Sequence, residues 1–404
     1  MIPFSPPRID QKIIDEVVAT LKSGWITTDP RTKEFEKRLT AYNGNKATLC
    51  LNSATAGLEI MLRWFGVKEG DEVILPAYTY AATANVIVHC GATPVFVDVN
   101  AEDFNIAVSE IEKAIISKTK VIMPVDFGGW PCDYDAINAL AKSKSEVFNA
   151  STEEQKLLGR ILVLSDAAHS IGAIYKGKKT GSLTDVSVFS FHAVKNLTTA
   201  EGGAVALNLP EPFDNVAIYN KLCVSTLHGQ NKDALAKAQK GNWKYDIVEA
   251  GYKCNMTDIM AAIGLVELER YDKDTLVKRE KIVDQYNWTL SAYSWAELPV
   301  IRKGEIFSSC HLYPLRIKGI SEEQRDAIIQ KIFDKNVSVN VHFMPVPSTS
   351  FYKSMGYDIK NYPVTYKNFS REISLPVFYD MTEAQVMEVL NAVASSVIEV
   401  IGTK

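Results

Sequence analysis

Short apolar runs alternate with amphipathic stretches along the first half of the chain, and that alternation limits the fold more than any other feature. "ATLCLNSA" (47–54), "DEVILPA" (71–77), "ATPVFVDV" (92–99), "KVIMPVDFGG" (120–129), "RILVLSDAAH" (160–169) and "DVSVFSF" (185–191) read as buried strands. Between or before them, "QKIIDEVVATLKSG", "TKEFEKRLTAYNG", "TAGLEIMLRWFG", "AATANVIVHCG" and "VSEIEKAIIS" carry helical period, the first two stopped by Gly24 and Gly44. Strands buried on both faces and separated by helices pair in parallel, so the expected class is α/β with a mostly parallel central sheet flanked by helices.

The alternation ends at the long helical stretches after Thr257. From about Ile301, "SSCHLYPLRI" and "VSVNVHF" read as strands mixed with helices, as in a smaller α+β domain. The expected division is therefore a large domain over residues 1–270, including the N-terminal segment, and a small C-terminal α+β domain over 271–404. The polar stretch Ser143–Gly159 reads as a surface insertion.

Composition removes several function classes. A net charge of −4 lacks the basic footprint of a nucleic-acid binder, and the lysine run "KDALAKAQKGNWK" reads as a solvated helix face or loop. No apolar segment reads as a membrane span, and "MIPFSPPRIDQK" lacks the regions of a signal peptide. Six scattered cysteines without a Cys-x-x-Cys pair fit a reducing, cytoplasmic setting, and the six histidines show no metal-ligand spacing, so no metal is expected.

Four places carry candidate chemistry. In "LNSATAG" (51–57) a strand gives way to a helix, and small residues leave backbone N–H groups open to an anion, with Ser53 and Thr55 as further donors. The same residues also suit an ordinary helix cap. In "PAYTYAAT" (76–83), Tyr78 and Tyr80 lie at the C-terminal end of a strand, where α/β sheets bind ligands; either could stack on a planar ring or fill core. In "VLSDAAHS" (163–170), Asp166 ends an apolar strand and needs a partner such as a cationic ring nitrogen, with His169 three residues on; a capping aspartate and a surface histidine fit equally. In "VFSFHAVKNLTTAEGG" (188–203), Lys195 follows a buried strand, with Ser190 and His192 near it. A free lysine, with a pKa of roughly 10.4, is neutral at pH 7 only at a cost of about 4.6 kcal/mol. Burial and nearby cations reduce that cost, which suits a lysine that forms a Schiff base. The order of the four features meets the needs of pyridoxal 5′-phosphate (PLP): a phosphate cradle, a ring stack, a carboxylate for the pyridinium and a Schiff-base lysine.

With these motifs in hand, the chain resembles the DegT/DnrJ/EryC/StrS family of nucleotide-sugar aminotransferases, which have the type I, aspartate-aminotransferase PLP fold. "SGWITTDP", "PAYTYAATANV", "GATPVFVDV", "SDAAHSIGA", "SFHAVKNLTTAEGG", "GYKCNMTDIMAAIG", "VHFMPV" and "SLPVFYDMT" carry the likeness over essentially the whole chain. The resemblance implies a catalytic pair, Lys195 and Asp166. It implies that Ser53, Ala54, Thr55 and Ser190 surround the phosphate, that Tyr80 stacks on the ring, and that His169 sits beside it. It further implies a homodimer whose shared sites are completed by the partner's Gly-Tyr segment. That segment departs here from the common Gly-Tyr-Asn-Tyr-Arg to Gly251-Tyr252-Lys253-Cys254-Asn255, so Lys253 and Asn255 are the candidates to reach the partner's phosphate. Asp29 stands where the family usually has glycine.

The "SFH…K…EGG" form is similar to the branch that aminates C4 of a nucleotide-linked keto sugar, with L-glutamate as donor and 2-oxoglutarate as its product. Trp25, Thr27 and His342 are then expected beside the sugar. Two alternatives belong to the same likeness: amination at C3 of a dTDP-keto sugar, and a dehydratase subgroup with histidine at the lysine position; two others come from different classes, a PLP-binding regulator without turnover and a plain α/β interaction protein whose motifs are coincidental. Lys195 disfavours the dehydratase, and Lys195 with Asp166 disfavours the regulator.

Overall fold

The computed structural model describes residues 1–232 and 243–402. Most of the lysine-rich run expected as a solvated helix face or loop lies outside the described residues.

A seven-stranded sheet forms the centre of the larger part of the molecule. Its strands are β1 (Ala47–Leu51), β2 (Glu72–Pro76), β3 (Thr93–Val97), β4 (Thr119–Ile122), β5 (Leu162–Asp166), β6 (Val186–Ser190) and β7 (Gly203–Leu207), in the spatial order β1-β7-β6-β5-β4-β2-β3. The pairs β2/β3, β2/β4, β4/β5 and β5/β6 are parallel, as the strand–helix alternation implies. β7 runs antiparallel to both neighbours. That inserted strand has a consequence for the site. β1 runs the same way as β6, so β1, β2, β5 and β6 all deliver their C-terminal ends to one edge of the sheet.

Helices cover both faces. Gln11–Lys22 begins at Asp10, whose side chain caps Ile13 N–H, and Pro30–Asn43 stops at Gly44, which has φ 75°. The helix Ala54–Trp64 lies close against β6 and β7. A Cβ on its Gly57 would come 2.9 Å from Val188 Cγ1 and 3.0 Å from Val205 Cγ2, so glycine sets that separation.

The stretch expected as a surface insertion is anchored in part. It forms the helix Glu153–Leu158, and the buried Gln155 donates from Nε2 to the Phe65 carbonyl at 2.9 Å. Polarity alone hides such an anchor, because a buried amide is tolerated once bonded.

A second sheet pairs Ala296–Glu297 with β8 (Tyr313–Ile317), and β8 with β9 (Glu372–Leu375), all antiparallel. The helices Leu276–Leu290, Glu322–Asp334 and Glu383–Ile401 pack around it on a separate apolar core that also takes in Ile2. "VSVNVHF" differs from expectation. It makes isolated bridges, Val337 to Ile2 and Asn340 to Ser374, because its alternating residues meet two different partners in turn. The helix Glu383–Ile401 corrects another expectation: by length and composition it could cross a membrane. Here Val386, Val389, Leu390, Val393 and Val397 are buried in the second core.

Candidate active site

A cavity of about 380 Å³ opens at the sheet edge where the strand ends converge. Ser53, Ala54, Thr55, Tyr80, Asp166, His169, Ser190, Lys195 and His342 all line it, so the residues singled out in four separate motifs meet in one place.

The turn after β1 forms one end. Ser53 caps the helix Ala54–Trp64, its Oγ accepting from Ala56 N–H at 3.1 Å. The capping role and the cradle role are thus compatible, because the N–H groups of Ala54 and Thr55 lie in the unsatisfied first turn. Across from this turn stands the Gly-Gly pair. A Cβ on Gly203 would come 2.4 Å from Ala54 N and 2.5 Å from Ser53 C, both backbone atoms. Only glycine lets the start of β7 approach the turn this closely. Ser190, the last residue of β6, completes that end.

Asp166 ends β5 and is 6% exposed. Thr83 Oγ1 donates to its Oδ2 at 2.7 Å and Ala168 N–H to its Oδ1 at 3.3 Å. Burial raises its pKa, opposed by those bonds and by the charge of Lys195. A cation in the cavity would favour the ionised form further.

Lys195 follows a turn in which its N–H bonds the His192 carbonyl at 2.9 Å. Burial pushes its amine down to about 8, with Asp166 opposing. At pH 7 roughly one amine in ten is then neutral, against fewer than about one in a thousand for a free lysine.

Two tyrosines that looked alike in sequence separate here. Tyr78 is fully buried against Phe104 and Phe127, at ring distances of 5.2 and 5.3 Å. Tyr80 caps the next helix from the cavity side and is 64% exposed. His169 is buried, and its Nδ1 accepts from Gly128 N–H at 3.2 Å, so the neutral ring carries its proton on Nε2. Burial and the charge of Lys195 hold it well below the usual histidine range.

Several lining groups were not foreseen. His311 faces His169, ring centroids 4.3 Å apart, and its Nδ1 lies 2.9 Å from Asn196 Oδ1. Asn196 donates from Nδ2 to the Ser309 carbonyl at 2.7 Å, so Oδ1 is its free acceptor and His311 is protonated on Nδ1. Phe4 stacks on His342 at 5.4 Å, and Ser5 Oγ donates to the Val194 carbonyl at 3.1 Å, which brings the N-terminal segment over the cavity. The adjacency of Asn196 to Lys195 was the one sequence signal available.

Four expected site residues do not line this chain's cavity. Trp25 donates from Nε1 to the Thr28 carbonyl at 3.4 Å, and Thr27 is exposed. Lys253 donates to Asn255 Oδ1, and Asn255 to Thr28 Oγ1. Asp29 is buried and its N–H bonds Asp258 Oδ1 at 2.9 Å.

The donor set fits PLP. A glycine-walled turn of open N–H groups with two serines suits a phosphate, a buried carboxylate suits a pyridinium, and a lysine of lowered pKa suits an aldehyde. The comparisons agree. The DegT/DnrJ/EryC1/StrS aminotransferase family profile matches residues 7–394. The PMP form of Spr1654 from Streptococcus pneumoniae, provisionally assigned as a sugar aminotransferase, is similar with a TM-score of 0.96 and 46% identity, over 99% of this chain and 100% of that one. Its PLP form gives a TM-score of 0.94 at 45% identity, over 99% of each chain. The spore coat polysaccharide biosynthesis protein SpsC of Bacillus subtilis is 36% identical over 97% of this chain and 96% of its own. PseC of Helicobacter pylori, an aminotransferase involved in the biosynthesis of pseudoaminic acid, is 26% identical with a TM-score of 0.86, over 98% and 99% of the two chains.

Proposed function

The chain belongs to the DegT/DnrJ/EryC1/StrS aminotransferase family and is a PLP-dependent sugar aminotransferase; from that premise we propose that it carries the amino group of L-glutamate to the C4 ketone of a nucleotide-linked keto-deoxy sugar. The product would feed the assembly of a polysaccharide, a reading supported by the likeness to SpsC. The observation that carries the proposal is the single cavity in which Lys195, Asp166 and the Ser53–Thr55 turn face His342.

Bound PLP supplies the aldehyde that takes the amine and the ring that accepts the electron pair left on the substrate carbon. The chain's residues do the rest. Ser53, Ala54, Thr55 and Ser190 fix one end of the ligand through N–H and O–H donors. Asp166 would supply a negative charge to the ring nitrogen, and Thr83 fixes the orientation of that carboxylate. Tyr80 and His169 line the cavity where they would hold the ring between them. Lys195 would offer its neutral amine to the cofactor's aldehyde, and the same amine would hold and move the proton as a general base. His342 faces the sugar, with Trp25 and Thr27 belonging to the same substrate region of the dimer. Lys253 and Asn255 serve the partner's site in a homodimer.

The two half-reactions share one cavity, so the kinetics are ping-pong. Purified protein incubated with L-glutamate and a panel of nucleotide keto sugars should give a product in which amine replaces ketone by mass and sits at C4 by NMR. Amination at C3, or turnover of free keto acids alone, rejects this reading.

A further inference from the structure

His342 is joined to two buried residues of β9 that no motif singled out. Its Nδ1 lies 2.9 Å from Ser374 Oγ, which is in turn hydrogen-bonded to Glu372 Oε1. The other carboxyl oxygen, Oε2, accepts the His342 backbone N–H at 3.1 Å. Glu372 and Ser374 are two apart on one strand, so both point to the same side of the sheet. Reciprocal backbone bonds between Asn340 and Ser374, at 2.7 and 3.2 Å, tie the His342 segment to that side. Both residues are fully buried, while His342 lines the cavity.

We propose that Glu372 and Ser374 are positioning residues for His342: the three form a hydrogen-bonded wire, and the protonation state of Glu372 decides whether His342 Nε2 donates to the substrate or accepts from it. The inference rests on the reading of His342 as sugar-facing.

Donor counting gives the mechanism. The backbone N–H can only donate, so Oε2 is always an acceptor, and any proton on Glu372 sits on Oε1. With Glu372 ionised, Ser374 O–H donates to Oε1, His342 Nδ1–H donates to Ser374 Oγ, and Nε2 is a bare lone pair. With Glu372 protonated, the two side-chain bonds reverse and the backbone bond stays as it is. Oε1–H donates to Ser374 Oγ, Ser374 O–H donates to Nδ1, and Nε2–H becomes a donor suited to a ketone or hydroxyl oxygen.

The surrounding charges set which state holds. Burial pushes Glu372 up to about 8, opposed first by the bonds from Ser374 and the His342 N–H, then by Arg325 from the helix Glu322–Asp334 and Arg316 from β8; Tyr78 faces it from just beyond β2. On the cavity side, Lys195 faces His342, and burial with that charge lowers the imidazole to about 3, so the ring is neutral and carries one proton. His169 and His311 also face it, and each is held well below the usual range. Near pH 7 the protonated wire predominates and Nε2 is a donor. Above about pH 8 it becomes an acceptor.

The test reads the tautomer directly in the full-length holoenzyme. Histidine-selective 15N labelling gives six side chains to resolve, with His342→Gln identifying the signal. The expected result is Nε2–H at pH 7 giving way to Nδ1–H above pH 8. In Glu372→Gln, the amide nitrogen stands in for Oε1–H and should hold the Nε2–H form at every pH. Ser374→Ala should uncouple the ring from pH, and Ser374→Thr should restore the coupling. In Ser374→Ala, KM for the keto sugar should rise roughly tenfold, more than KM for glutamate. A wild-type tautomer that ignores pH from 6 to 10, or a Ser374→Ala tautomer that titrates as in wild type, overturns the wire. A wire intact by NMR with no turnover of nucleotide sugars faults the proposed substrate and leaves the wire standing.

Discussion

Thr83 Oγ1 donates a 2.7 Å hydrogen bond to Asp166 Oδ2, with Thr79 Oγ1 2.8 Å behind it. The bond ties the helix after β2 to the end of β5 and leaves the carboxylate one orientation toward the cavity. Asp166→Asn keeps the shape and removes the charge that a protonated ring nitrogen needs. Turnover should fall by about a hundredfold or more, with PLP affinity much less affected. Thr83→Val, nearly isosteric, should cost about tenfold through loss of a bond to a charged group. Turnover in Asp166→Asn equal to wild type would leave Asp166 a structural cap.

The pH dependence of cofactor capture follows from Lys195. Its folded pKa is lowered to about 8, so the reactive neutral amine forms as pH rises through that value. The rate at which the cofactor-free protein acquires the yellow colour of lysine-bound PLP should rise about tenfold per pH unit below 8 and level above it. Between about 8 and the free lysine value of about 10.4, the unfolded chain holds a proton that the folded chain does not, so stability of the cofactor-free protein rises with pH there. Asp166 favours the ammonium, so Asp166→Asn should move the midpoint below 8. Lys195→Ala should abolish both the colour and transamination while leaving the other ligand contacts. Stopped-flow absorbance follows the colour, and unfolding of the cofactor-free protein across pH checks the stability.

Much of this was legible from local pattern, because the strand–helix alternation and the residues at strand ends are short-range features. Ser53, Asp166, Ser190 and Lys195 each sit at a strand end or just beyond one, where the fold class alone places ligands. His311 and Glu372 were not legible. His311 reads as part of an ordinary strand, and its partner Asn196 is 115 residues away. Glu372 looks like a surface charge beside Arg371 until β9 pairs with β8 and buries it. The antiparallel β7 was also missed. "GAVAL" follows the Gly-Gly turn with no helix between it and β6, and a direct return of that kind forces antiparallel pairing.

The Gly-Gly turn supplies a test of the cradle. In Gly203→Ala the new Cβ would meet Ala54 N at 2.4 Å, and backbone on both sides leaves little room to yield. The substitution should destabilise the fold by about 1–3 kcal/mol and shift the Ser53–Thr55 turn. PLP affinity should fall further than that of an equally destabilised variant altered in the second core, such as Ile373→Val. Thermal unfolding with and without PLP measures both effects.

The last prediction concerns Lys253 and Asn255. Their side chains bond to each other and, through Asn255, to Thr28, and neither lines the cavity of its own chain. Their backbone nonetheless lies beside the cradle strand, since the Cys254 carbonyl accepts from Asn52 N–H at 2.8 Å and Asn255 bridges Leu51. A cation whose side chain bonds a neutral amide suits a phosphate on a neighbouring subunit. In the proposed homodimer, Lys195→Ala chains and chains altered at both Lys253 and Asn255 should each be inactive. In a hybrid dimer the second chain offers its own Lys195, and the first offers intact Lys253 and Asn255, so one of the two sites is whole. Random mixing makes half the dimers hybrid, and recovery should approach about a quarter of wild-type activity. Subunit exchange verified by mass spectrometry without any recovery would assign these residues to their own chain.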